Sequence, residues 1–194
     1  MLARPGIEDA IELHMRSGLL KEELMDIISS PTLQGFTDHT GHHFIRTQGN
    51  EICLVWVLSA NWYNPCGNKA SGQVVSTRAI AMVCLSLPSS LRTLEENIYL
   101  SGLIPGPQEP SVNAINHFLV PLFNNLNVSY KQRVHYSQTH YYPSGYTFQS
   151  TIIPVIADTM ASKKITDNCT HSAVYFCFHC RLHQDCVRNL DPAL

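Results

Sequence analysis

The pair Cys177-x-x-Cys180 holds two thiols at a spacing that lets both thiolates grip one tetrahedral Zn²⁺. His171 is the candidate third ligand, with Cys169, His183 and Cys186 as further members of the cluster. The run Cys177-x2-Cys180-x2-His183-x2-Cys186 is too tight for all four to share one ion. Free buried thiols are the plainer reading. A second set consists of cations: Lys69, Arg78, Lys131 and Arg133, with Tyr130, Tyr136, Tyr141 and Tyr142 near them in sequence. Cations that neutralise phosphates beside rings that stack on bases are the equipment of a nucleic-acid groove. A solvated loop with amphipathic tyrosines would use the same residues. His39, His42 and His43 resemble a metal tract but lack a partner thiol, and read as surface histidines.

These residues need elements to position them. Residues 6–29 have helical spacing in two pieces, the first carrying Ile7, Ala10, Ile11 and His14 on one face. Residues 30–49 are rich in turn formers. The run 52–58 is wholly apolar and of strand length, as expected of a strand buried on both faces. A loop over 61–72 follows, then a second strand between residues 74 and 87 and a third near 94–103. Prolines at 105, 107 and 110 stiffen a non-helical connector. Ser111 is placed to cap a helix over 111–126, with Pro121 a point for a kink or an early stop. The polar, tyrosine-rich stretch 127–145 leads to a last buried strand near 146–157, in which Pro154 is the discordant residue. Three segments result: a helical N-terminal segment and linker (1–49), an α/β core (50–160) and a Cys/His-rich tail (161–194).

Composition bounds the function. The chain has 194 residues, 44% of them hydrophobic, which suffices for a full core and excludes disorder as the main state. A formal net charge of −2 gives no overall electrostatic footprint for nucleic acid. The apolar runs 52–58 and 79–85 fall far short of the ~18 residues of a membrane span, so no membrane partner is expected. The first residues have no apolar signal core, which predicts a nuclear or cytoplasmic chain, not a secreted one.

Particular words are more specific than periods. They are Leu58-Ser59-Ala60-Asn61-Trp62-Tyr63-Asn64-Pro65 with Gly67-Asn68, then Leu87-Pro88-Ser89-Ser90, then Ile104-Pro105-Gly106-Pro107-Gln108-Glu109-Pro110. Asp158, His171-Ser172 and Phe176-Cys177-Phe178-His179-Cys180 continue the pattern. Together they resemble the transposases of CACTA-type DNA transposons, of the Plavaka group of fungal genomes. The element order agrees, since three antiparallel strands, a helix and a parallel strand make up a ribonuclease-H-like mixed sheet.

The resemblance implies a DDE-class catalytic core. There, three carboxylates hold two Mg²⁺ or Mn²⁺ ions that clamp the attacking and leaving oxygens of a phosphodiester. It implies DNA as partner, with self-association or a fuller transposase copy as a further one. The second acid falls on Asp158. The first falls on Asn61, where the family has Asp, and an amide carries no charge to balance the ions. None of Asp167, Asp185 and Asp191 matches the third acid, so the resemblance reads the chain as a fragment, inactive by itself. A non-catalytic DNA- or protein-binding module and a zinc-stabilised scaffold are the alternatives.

Overall fold

A computed structural model describes residues 1–19, 26–45, 51–63, 77–106 and 111–157. The first helix, α1 (Ile7–Leu19), follows Gly6, whose positive φ suits only glycine without strain. Glu8 and Asp9 in its first turn and Arg16 in its last complement the helix dipole. Ile7, Ile11 and Met15, four residues apart, form its buried stripe. Asp26 caps a 3₁₀ turn (Ile27–Ser29), and Ser30 with Pro31 opens the one-turn α2 (Pro31–Gln34).

The sheet is mixed and has five strands: β1 (Glu51–Tyr63), β2 (Thr77–Cys84), β3 (Ile98–Ile104), β4 (Val134–Tyr136) and β5 (Tyr146–Ala157). Their order is β3-β2-β1-β5-β4. β1 and β2 pair antiparallel, as do β2 and β3, whereas β5 lies parallel to β1. Between β2 and β3 stand α3 (Ser89–Arg92) and a 3₁₀ turn (Glu95–Asn97). The apolar run 52–58 thus becomes the middle strand, buried on both faces as its composition predicts.

Helix α4 (Val112–Gln132) supplies the crossover to β5. Ser111 caps it, the hydroxyl accepting from the Ala114 amide at 3.3 Å. The helix runs through exposed Pro121, so no early stop occurs there. It also continues past residue 126, which corrects the loop expected from 127 onward. Its last turn is pinned from outside: the Tyr130 carbonyl accepts from Gln149 Nε2 at 2.7 Å. Likewise the third strand starts at Ile98, because 95–97 form the 3₁₀ turn instead.

Two apolar clusters hold the sheet. In one, Ile7, Ile11, Ile28, Leu33 and Phe44 pack with Cys53, Val55, Val57, Leu87 and Phe148. In the other, Ile115 and Leu119 of α4 cover Leu58, Ile80, Met82 and Ile104. No helix among the described residues is long and apolar enough to cross a membrane.

Candidate functional site at the carboxyl ends of two parallel strands

Parallel strands end on the same side, and in α/β sheets ligands bind outside those carboxyl ends. β1 and β5 finish together, Ala60 standing opposite Ala157. Asn61 comes next on β1, opposite Ala79 of β2, and its side chain is exposed. Alternation decides which face it takes. Leu58 lies under α4, so Ser59 and Asn61 point to the other face. At that level α1 and its neighbours no longer cover the sheet. Across it run Leu100, Ala81, Ser59 and Ile156, followed by Leu103, Ala79 and Asn61. Leu100, Leu103 and Ile156 keep 55%, 49% and 59% of their surface exposed. The result is a shallow, mostly apolar floor with Ser59 within it and Asn61 at its end.

The register that aligns these ends is not uniform. Trp56 faces Ile152, but Leu58 faces Val155, so Val57 stands opposite both Ile153 and Pro154. The bulge accommodates the proline that looked out of place in a strand. It also changes what the strand end presents. The register below the bulge would set Ala157 opposite Asn61; above it, Ala157 stands opposite Ala60 instead.

Asp158, Lys69, His171, Cys177 and Cys180 lie outside the described residues, so the sequence alone speaks for them. Among the described residues no three His, Cys, Asp or Glu side chains converge as a metal would require. The three described cations do not form one patch. Arg78, opposite Trp62 near the end of β1, is 0% exposed on the α4 side of the sheet. Arg133 pairs with Glu51 at the start of β1, about 35 Å away at roughly 3.3 Å per residue. Lys131 is exposed in the last turn of α4. The tyrosines mostly pack. Tyr130 stacks on Phe44 at 6.0 Å, and Tyr142 stacks on Tyr146 at 4.0 Å. Burial, reinforced by the Glu12 carboxylate that its hydroxyl meets at 3.2 Å, pushes the Tyr142 phenol well up. Tyr136 and Tyr141 remain exposed, as do His39, His42 and His43.

The opposite end of the sheet holds polar contacts between residues far apart in the chain, with no local signature. Arg92 reaches Asp26 at 2.7 Å and the Leu87 carbonyl at 2.9 Å, with His14 Nε2 at 3.2 Å. Burial pulls Asp26 upward, but the Arg92 and Ile28 hydrogen bonds and the charges of Arg92 and His14 hold it below the usual carboxylate range. Cys84, a free thiol, is pushed up to about 11 by burial. These groups tie the N-terminal segment to the sheet, and such inert thiols and paired charges make structure, not chemistry.

A family model described as transposase family tnp2 matches residues 38–191, well over half of the chain. No curated protein matches.

Proposed function

The chain belongs to transposase family tnp2, and from that premise we propose that its sheet is a ribonuclease-H-like core of the DDE class. We assign it to the CACTA, Plavaka-like type, with Asn61 and Asp158 in the places of the first two acids. The observation that carries this reading is the pairing of Ala60 with Ala157 at the parallel ends. Each is followed directly by one of the two residues that the family motifs single out.

Cleavage chemistry in such a site rests on carboxylates, which balance the charge of two hard cations beside phosphate. Asn61 does not fit that requirement. It is exposed and neutral, and offers a carbonyl dipole where a charge is needed. The chain therefore acts as a DNA-binding transposase domain that does not cut by itself. Exposed Lys131 and the basic Lys69 contribute phosphate contacts. Self-association or a fuller transposase copy is the proposed protein partner. Cys177, Cys180 and His171 hold a structural Zn²⁺ in the tail. Neutral Asn61 equally favours the second reading, a module that keeps the fold and binds DNA or protein without any catalytic descent in use.

Fluorescence anisotropy with duplex DNA at increasing salt, run beside a supercoiled-plasmid nicking assay in Mg²⁺ or Mn²⁺, tests the proposal. Binding that weakens linearly in log–log salt, with no nicking, is expected. Metal-dependent nicking by the unmodified chain would overturn the inactive reading. Failure to bind DNA at low salt would overturn the DNA role.

A further inference from the structure

Proline has no N–H to give to a ladder, so strands admit it only at edges and bulges. In β5 both conditions hold at residue 154. β4 pairs only with residues 146–148, which leaves the outer side of β5 free of a described partner beyond them. On the inner side the extra residue sits against Val57.

We propose that Pro154 is a positioning residue for the site at the strand ends. By keeping one extra residue in β5, it determines which side chains reach the open face beside Asn61. The argument starts from the period of two, by which a slip of one residue sends every side chain to the other face. Without the extra residue, Val155 would stand opposite Ser59 and Ile156 opposite Ala60. That register would bring Val155 to the open face and carry Ile156 away from it. The structure does the reverse: Val155 faces Leu58 and Ile156 faces Ser59, with more than half of its surface open. Something local must hold the strand out of the slipped register, and Pro154 stands where the two registers part. A residue that cannot donate to the ladder does this wherever the slip would require an ordinary pair. Bulges in parallel pairs are rare and gather near active sites, where they re-aim side chains. The inference rests on the proposed function only for the statement that the strand ends are the site.

Histidine pairs read the register directly, because two histidines on one face of neighbouring strands share an Ni²⁺ ion whereas two on opposite faces do not. Ni²⁺ binding would be followed as the rise in the urea unfolding midpoint over that of the parent chain. Ser59→His with Ile156→His should bind at least about tenfold more tightly than Ser59→His with Val155→His. In a Pro154→Val background the preference should reverse. In a chain lacking Pro154 altogether, the first pair should remain in line, since deleting the extra residue leaves the upper register as it is. Tighter binding by the Val155 pair in the parent chain would overturn the proposal. So would an unchanged preference after Pro154→Val or a lost first pair after deletion. None of these readings depends on DNA or on Asn61, so failure of the proposed function leaves them intact, and the converse holds too.

Discussion

The two ends of β1 have been built for opposite purposes. From Ile52 to Val57 every residue but Trp56 is buried, in the cluster that also holds Ile7, Ile11, Phe44 and Phe148. From Ser59 onward one face loses its cover, and the strand finishes on exposed Asn61 and Tyr63. The pairs of Arg133 with Glu51 and of Arg92 with Asp26 both belong to the packed region. Stability is concentrated where chemistry is absent, and the open end can change identity with little effect on folding. An exposed side chain such as Asn61 can therefore be exchanged while the fold persists.

Substitutions at the packed end should therefore have the greatest effect. Phe148 is fully buried, with its ring edge-on to Tyr136 at 5.1 Å. Phe148→Ala should lower the unfolding free energy by about 3–5 kcal/mol in urea titrations. Next comes Cys84. Its pKa is raised from 9.0 to about 11 in the folded protein, so the folded state resists losing the proton that the unfolded state gives up. Stability is full below pH 9 and should fall by about 3 kcal/mol as pH rises from 9 to 11. Cys84→Ala should remove that slope between pH 9 and 10, while above 10 the raised Tyr142 phenol still lowers stability. The thiol should also resist alkylation until the chain unfolds.

Asp26 gives a smaller loss at the opposite extreme. Its folded pKa lies below the ordinary 3.8, so its contribution is present above that value and disappears as pH falls through the folded pKa. Asp26→Asn should flatten the acid limb of the stability curve. The open end should respond least: Asn61→Ala should change stability by no more than about 0.5 kcal/mol. A larger loss there would break the contrast between the two ends.

The sequence made one of these ends far more readable than the other. The seven-residue apolar run announces a strand buried on both faces, because no amphipathic element can afford such a pattern. Ser111 is equally plain, since only a hydroxyl or amide side chain caps so well. The end of α4 was not legible: residues 127–132 have no apolar period, and it is Gln149, far along the chain, that holds them. β4 depends in the same way on its three pairs with β5. The Arg92–Asp26 contact spans 66 residues and leaves no local trace. At the site, Pro154 was visible as an anomaly, but only the register shows that it shifts the strand by one residue. Asn61 was visible through the resemblance, whereas the bare floor around it follows from tertiary packing alone.

The central claim is that position 61 is an acid's place from which only the charge has gone. Calorimetric titration of Mn²⁺ into the parent chain, Asn61→Asp and Asn61→Asp with Asp158→Asn tests it most directly. Restoring that one carboxylate should tighten binding by at least about tenfold, or ~1.4 kcal/mol, and removing Asp158 should abolish the gain. Equal Mn²⁺ affinity in all three proteins would contradict the claim.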